Sequence, residues 1–235
     1  MLTRFRNRQE AGRALAAALM PMRREHPVIV ALPRSGVPVA AAVAEALQAP
    51  LDIVVTRKLA PPGEPELAVG ALAEGGASYI DPTAVGILGI SHEDLSALAD
   101  SEAVELGRRV KILRGDRPSL DIEGRTVVVV DDGIARGASV RAALRSLRQR
   151  RPGRMVVAAP VIAPDTLHEL REDCDEVVCL SSPKLFGAVG FWYQDFAAVT
   201  DEEVLALLAQ SQTAAAPSGE PVEMEWDPWI ERRLS

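Results

Sequence analysis

The chain has 235 residues, of which 48% are hydrophobic, so it is long enough for one large domain with a full core and a small appended element. Its net charge of −7 argues against a nucleic-acid-binding protein held mainly by phosphate attraction, because such domains are usually strongly basic. Cys174 and Cys179 have no metal-ligand partners at suitable spacing, so we expect a reduced, cytoplasmic protein. We predict no signal peptide and no membrane-spanning segment.

Strands and helices alternate along the predicted chain. In order, the predicted elements are a helix at 8–24, a strand at 28–32, a helix with Pro38 near its first turn, a strand at 51–56, a proline-rich surface loop at 58–66, an edge hairpin at 67–73 and 77–80, a helix at 91–114, a strand at 126–131, a helix at 139–150, a strand at 154–161, a helix at 164–171 and a strand at 176–180. This alternation predicts an α/β fold with a doubly wound, mostly parallel sheet flanked by helices.

The predicted domain covers residues 1–208, and residues 209–235 are predicted to be a linker and a C-terminal tail. The run that follows Gln210 is rich in Ser, Ala, Pro and Gly, a composition typical of linkers. The tail contains Trp226 and Trp229 and is apolar enough to pack on the same subunit or on a partner. Together with the apolar stripe of the 91–114 helix, these tryptophans are compatible with a homodimer.

Residues 127–139 carry the strongest chemical signal. Four consecutive valines, 127–130, are typical of a strand covered on both faces, and Asp131 and Asp132 follow at its carboxyl end, where open α/β sheets bind ligands. Adjacent carboxylates suit the hydroxyls of a ribose or, through water, Mg²⁺. The next loop, with Gly137 and a helix cap predicted at Ser139, offers backbone amides to a phosphate. Together they indicate a ribose 5-phosphate site, whereas the plainer interpretation is a strand, a turn and a helix without a ligand.

These residues resemble the phosphoribosyl pyrophosphate (PRPP) signature of the type I phosphoribosyltransferases. Residues 28–38 resemble the first strand of that family and its pyrophosphate loop, which often contains a non-proline cis peptide. Residues 54–58 resemble the second strand and the start of the mobile catalytic loop, and 186–196 resemble the segment that stacks on the acceptor base. The resemblance spans roughly residues 1–208 and is strongest to a group of uncharacterised bacterial phosphoribosyltransferases.

The resemblance implies Mg²⁺-dependent transfer of the ribose 5-phosphate of PRPP to a nitrogenous base or related acceptor, with release of pyrophosphate. It also implies a small hood, built from the N-terminal segment and residues 183–195, and an inserted helix. The implied catalytic residues are Arg34, Lys58, Asp131 and Asp132. The implied PRPP-binding residues are Arg34, Ser35, Gly36, Arg57, Lys58, Asp131, Asp132, Gly133, Ile134, Ala135, Arg136, Gly137, Ala138 and Ser139. The implied acceptor-binding residues are Phe191 and Trp192, and the implied metal-binding residues are Asp131, Asp132 and Asp195.

Three positions differ from the pattern of the family. Arg136 stands where the phosphate loop usually has Thr, and its guanidinium could bind the phosphate, fill the pocket or point to solvent. Ser35 stands where close relatives often have Gly. Ala135 replaces an Asp found in hypoxanthine-guanine members, which disfavours a 6-oxopurine acceptor. These departures motivate two alternatives: a catalytically silent PRPP or nucleotide sensor and, more weakly, a hydrolase of phosphorylated ribosides.

Simpler roles compete at several other positions. Arg34 and Lys58 could be ordinary exposed cations, and Asp195 could cap a turn rather than join a Mg²⁺ water network. Phe191 and Trp192 could pack in a core or a dimer interface instead of stacking on a base. The six arginines between 141 and 154 form a solvated helix face in the favoured interpretation and an RNA or anion surface in the other, so a nucleic-acid partner is not expected.

Overall fold

The structure is a computed structural model that describes residues 4–61, 64 and 67–215, with side chains described to residue 211. The seven α-helices among these residues are α1 (Arg8–Leu19), α2 (Gly36–Leu47), α3 (Pro82–Leu88), α4 (His92–Arg114), α5 (Ala138–Arg148), α6 (Pro164–Asp173) and α7 (Asp201–Ala215). The eight strands are β1 (Val28–Ala31), β2 (Leu51–Ile53), β3 (Thr56–Leu59), β4 (Gly70–Ala73), β5 (Ser78–Ile80), β6 (Thr126–Val130), β7 (Arg154–Val161) and β8 (Glu176–Ser181).

Five of the strands form one parallel sheet, in the order β2-β1-β6-β7-β8. Alternate side chains of each strand point to opposite faces, so the sheet has a core on either side. Val128 and Val130 pack on one face with α1, α2 and α7, whereas Val127 and Val129 pack on the other with α5 and α6. Helices on both faces confirm the predicted doubly wound α/β fold.

The second sheet corrects the predicted strand at 51–56. That run divides into β2, which joins the parallel sheet, and β3, which pairs antiparallel with β4; β5 then completes a three-stranded sheet of its own. The hairpin therefore exists but does not form an edge of the main sheet. Leu59, predicted to lie in a surface loop, is a fully buried residue of β3. The tertiary pairing with β4 extends the strand past the point where the prolines suggested a loop.

Helices α4 and α7 differ in part from their predicted form. The predicted long helix is α4, and the Ser91 hydroxyl caps it by accepting a hydrogen bond from the backbone N–H of Asp94 at 3.0 Å. Only Leu106 and Leu113 of α4 are buried among its residues, so most of the predicted apolar stripe is half-exposed or exposed. Helix α7 continues to Ala215 and so includes the first residues of the predicted linker. The tail with its tryptophans lies outside the described residues.

No helix in the described part of the chain is both long enough and apolar enough to cross a membrane.

Candidate active site

The candidate site lies where β1 and β6 end side by side. The strands pair in register up to Ala31 and Val130, and the backbone N–H of Leu32 then donates to the Val130 carbonyl at 3.1 Å. Because parallel strands present their carboxyl ends at one edge, the loop after β1 lies next to Asp131. The peptide bond between Pro33 and Arg34 in this loop is cis. The sequence-predicted pyrophosphate loop and acidic pair therefore meet at this edge.

Asp131 and Asp132 have different surroundings. Asp131 is half-buried, and its carboxylate accepts a hydrogen bond from the backbone N–H of Asp132 at 2.9 Å. Burial of the carboxyl group, together with the nearby charge of Asp132, raises the pKa of Asp131 well above its usual value. Burial also raises the pKa of Asp132, against the opposing effect of hydrogen bonds from Arg8 and Ser35. The carboxyl group of Asp131 is thus held by a backbone N–H, whereas that of Asp132 is held by the side chain of Arg8.

Asp132 forms a buried ion pair with Arg8. The Nε–H of Arg8 donates to Asp132 Oδ2 at 2.8 Å, and the two side chains are only 10% and 5% exposed. The Tyr193 hydroxyl donates to the Asp132 backbone carbonyl at 2.5 Å. Neither Arg8 nor Tyr193 is among the sequence-predicted site residues. Arg8 and Asp132 are 124 positions apart, and no local pattern indicates such a pairing.

Lys58 and Arg57 point in different directions from β3. Lys58 is exposed, and its positive charge lies close enough to Asp131 to oppose the rise in the pKa of that carboxyl group. The Nε–H of Arg57 instead donates to Glu102 on α4 at 2.8 Å. Successive residues of a strand face opposite sides, so Lys58 does not share the contact of Arg57 with α4.

Arg34 extends from the loop towards the start of α7. Its Nη1 lies 3.8 Å from Asp201 Oδ1, and its side chain is 49% exposed. Asp201 is held more firmly by Arg109 of α4, whose Nη1 and Nη2 both donate to it at 2.8 Å. Arg34 is therefore tethered only weakly, and its guanidinium is accessible to a ligand.

The predicted phosphate loop differs from expectation at its helix cap. The N-cap of α5 is Gly137, in the left-handed region with φ of 74°, whereas Ser139 lies in the first turn of the helix. Within the described residues no side chain caps this helix by a hydrogen bond, so its first backbone amides face the loop. The Thr166 hydroxyl donates to the Ala135 carbonyl and anchors the loop to α6. Arg136 is exposed and has no hydrogen bond or ion pair to any other described residue.

The hood consists of residues 4–7 and 186–197. Phe5 pairs with Tyr193 as a parallel bridge, with its backbone N–H donating to the Trp192 carbonyl at 2.9 Å. Trp192 is buried, and its indole N–H donates to the Phe186 carbonyl at 3.0 Å. Phe191, by contrast, is 62% exposed. The two predicted acceptor-binding residues therefore separate into a packing residue and an exposed ring that is available for stacking.

Asp195 lies on the exposed side of the hood. Its carboxylate accepts a hydrogen bond from the backbone N–H of Ala197 at 3.1 Å, the turn-capping role considered from the sequence. Among residues 4–61, 64 and 67–211, no three His, Cys, Asp or Glu side chains form a cluster suited to a metal ion. Asp195 therefore does not complete a three-carboxylate site with Asp131 and Asp132.

The arginines of α5 and the following turn bind neighbouring protein groups. The guanidinium of Arg141 contacts Glu169 and Asp173 of α6 and lies 4.9 Å from the centroid of the Tyr79 ring. The Nη1 of Arg145 donates to the Ser78 carbonyl at 2.8 Å. These contacts join α5 to β5 and α6, so Arg141, whose side chain is 12% exposed, does not belong to the solvated helix face predicted for this cluster.

Comparison with known proteins adds independent support. A protein of Mycobacterium tuberculosis named "Putative phosphoribosyl transferase" is 40% identical over 215 residues, which cover 92% of this chain and 48% of that protein. The chain thus spans about half the length of the curated relatives it matches. The crystal structure of TT1426 from Thermus thermophilus is 45% identical, with a TM-score of 0.74, and the match covers 88% of this chain and 99% of that one.

The family model described as "Phosphoribosyl transferase domain" matches residues 2–194, which include β1, both acidic residues, the loop before α5 and most of the hood. With this match and these relatives, the resemblance seen in the sequence is confirmed: the chain belongs to the type I phosphoribosyltransferase family.

Proposed function

We propose that the chain is a Mg²⁺-dependent phosphoribosyltransferase that transfers the ribose 5-phosphate of PRPP to a nitrogenous base or related acceptor and releases pyrophosphate. The observation that carries the proposal is the convergence of three features on Asp131: the loop with the cis peptide after β1, the Lys58 ammonium and the loop that leads into α5. Each supplies the chemistry that one part of PRPP requires.

Different residues bind different parts of PRPP in this proposal. Asp131 accepts hydrogen bonds from the ribose hydroxyls, and the amides at the start of α5 hold the 5-phosphate. The backbone of residues 33–36, with Arg34 and Lys58, receives the pyrophosphate. As the bond between ribose C1 and pyrophosphate breaks, positive charge develops on the sugar and negative charge on the leaving group, so the cations stabilise the transition state. No protein nucleophile is required.

The acidic residues fit Mg²⁺ in a specific way. Mg²⁺ is usually bound by one or two carboxylates together with waters and substrate phosphates, and it does not require an all-protein cage. Asp131, which has no cationic hydrogen-bond partner among the described residues, is the carboxylate best suited to hold the ion through water. When bound, Mg²⁺ would neutralise charge on the pyrophosphate.

The hood supports a planar base as the acceptor. Phe191 is an exposed aromatic ring in the segment that covers the carboxyl edge of the sheet, and a planar base is the natural partner of such a ring. Ala135 supplies no carboxylate for proton transfer at a 6-oxopurine. The proposal includes a cytoplasmic location, which rests on the two free cysteines, and a homodimer as the assembly.

The test is release of pyrophosphate from PRPP with a panel of purine and pyrimidine bases. Wild-type protein should release pyrophosphate only with an acceptor and Mg²⁺, and Asp131→Asn should lower kcat/KM by at least about a hundredfold. Asp100→Asn, an exposed position on α4, is the matched control and should behave as wild type. Full turnover in Asp131→Asn would contradict the proposed role of Asp131. Release of phosphate without any base would favour the hydrolase alternative.

A catalytically silent PRPP or nucleotide sensor is the second candidate. The exposed Arg136 favours it, because an arginine replaces the hydroxyl that the family usually places on the 5-phosphate. Arg136→Thr separates the two candidates. Turnover that appears only in this variant would support the sensor, whereas turnover in the wild type that is lowered or unchanged by the substitution would support the enzyme.

A further inference from the structure

Arg8 is buried at the start of α1 and touches three parts of the molecule. Its Nε–H donates to Asp132, and its Nη1 donates to the Ala197 carbonyl at 2.8 Å. Its guanidinium carbon lies 3.9 Å from the centroid of the Phe196 ring and 5.9 Å from that of Tyr193. A planar guanidinium can satisfy a carboxylate, a carbonyl and an aromatic face at once, which a lysine cannot. Arg8 therefore connects the strand end of β6 to the hood.

Asp132 is held by side chains from two distant parts of the chain. Its carboxylate accepts from Arg8, and its backbone carbonyl accepts from Tyr193. At 4% exposure it has little surface left for a ligand. The carboxylate of Asp131 contrasts with it, because the one hydrogen bond that it accepts from a described residue comes from the backbone N–H of Asp132.

We propose that Arg8 is a positioning residue that clamps Asp132 to the hood. Asp131 alone then contacts the ribose hydroxyls, and the Phe191 ring that stacks on the acceptor is held at a fixed place relative to the sugar. This inference rests on the proposed function and deepens it, since it assigns different tasks to the two adjacent carboxylates.

The physical consequence of removing Arg8 is local. A buried carboxylate that loses its cation is left uncompensated, and the hood loses both the hydrogen bond at Ala197 and the contact with Phe196. The backbone bridge between Phe5 and Tyr193 is then what still holds the hood. Local opening of residues 189–197 should become more frequent while the central sheet stays closed.

Hydrogen–deuterium exchange of the ligand-free protein tests the clamp directly. Arg8→Gln should speed exchange in residues 189–197 by about tenfold, and Arg8→Lys should do so by less. Arg114→Gln is the matched control, because Arg114 forms another buried pair, with Asp52, in which both side chains are 10% exposed. This variant should destabilise the protein without selectively opening the hood. Unchanged exchange in the hood of Arg8→Gln, or equal opening in Arg114→Gln, would overturn the clamp.

PRPP titration tests the division between the carboxylates. We expect Asp131→Asn to weaken PRPP binding at least tenfold and Asp132→Asn to weaken it about threefold or less. Asp132→Asn should change the KM for the acceptor more than it changes the affinity for PRPP. Equal losses of PRPP affinity in the two variants would overturn the division. If the wild type binds no PRPP, the proposed function and this division fail together, whereas the exchange experiment still decides whether Arg8 clamps the hood.

Discussion

Gly36 lies directly against Asp131. A Cβ atom added at Gly36 would lie 2.9 Å from the Val130 carbonyl oxygen, a distance that real Cβ atoms essentially never show, and 3.0 Å from Asp131 Oδ1. The loop after β1 can therefore approach Asp131 only because this position lacks a side chain.

Gly36→Ala should separate the loop from Asp131. The added methyl group must push the loop or the strand end aside, and a displacement approaching 1 Å at a reacting site can lower the rate about a hundredfold. We expect at least a tenfold loss of PRPP affinity, measured by calorimetry. Gly86→Ala is the control, because a Cβ there meets no atom within 4 Å, and it should bind PRPP as the wild type does. Equal affinity of the two variants would contradict the close approach.

Asp131 should reduce stability while serving function. Because burial raises its pKa, the folded protein holds the proton more tightly than the unfolded chain, whose Asp has a pKa of about 3.9, so stability is lost as pH rises through the folded pKa. Asp131→Asn removes this loss. Its Tm should exceed that of the wild type at pH 7 by a few degrees, at roughly 2–4 °C per kcal/mol, and match it near pH 4. A lower Tm at pH 7 would contradict the assignment.

Arg34 should contribute to ligand binding and little to folding. Its 3.8 Å contact with Asp201 is half-exposed, and such pairs contribute about 0–1 kcal/mol. A charge-assisted hydrogen bond to pyrophosphate is worth about 1.5–3 kcal/mol, so Arg34→Ala should weaken PRPP binding about tenfold to a hundredfold with little change in Tm. Arg108→Ala, an exposed position on α4 paired with Glu105, should leave binding unchanged. Calorimetry and thermal unfolding of both variants would check this contrast.

Phe191 and Trp192 should respond differently to substitution. Phe191→Ala removes a ring that is 62% exposed, so the KM for the acceptor should rise about tenfold while Tm stays nearly constant, since base stacking is worth about 1–3 kcal/mol. Trp192→Phe removes the buried indole N–H that donates to the Phe186 carbonyl and should lower Tm. Steady-state kinetics and thermal unfolding measure both effects. A destabilised Phe191→Ala with unchanged acceptor KM would mean that Phe191 only packs.

The sequence predicted the elements that are determined by residues close together in the chain. The strand β6 and the position of Asp131 at its end follow from the run of four valines, and the cap of α4 at Ser91 follows from the capping-box pattern of residues 91–94. The cap of α5 was predicted two residues late, because Gly137 and Ser139 are both favoured near helix starts and only the folded backbone decides between them.

Long-range pairing accounts for the features that the sequence did not predict. The break between β2 and β3 depends on the antiparallel partner β4, and the residues across it are as apolar as a continuous strand. The pairing of Arg8 with Asp132 joins the N-terminus to the middle of the chain. Hydrophobic periodicity contains no information about such a contact. The ion pair depends on the tertiary fold, which brings α1 next to the end of β6.

The most direct test of the account is calorimetric titration of the protein with PRPP in the presence and absence of Mg²⁺. We predict micromolar binding that depends on Mg²⁺ and is lost in Asp131→Asn. If folded wild-type protein shows no binding heat with Mg²⁺ present, or binds PRPP equally well when Asp131 is replaced, the assignment of this strand edge as a PRPP site is wrong.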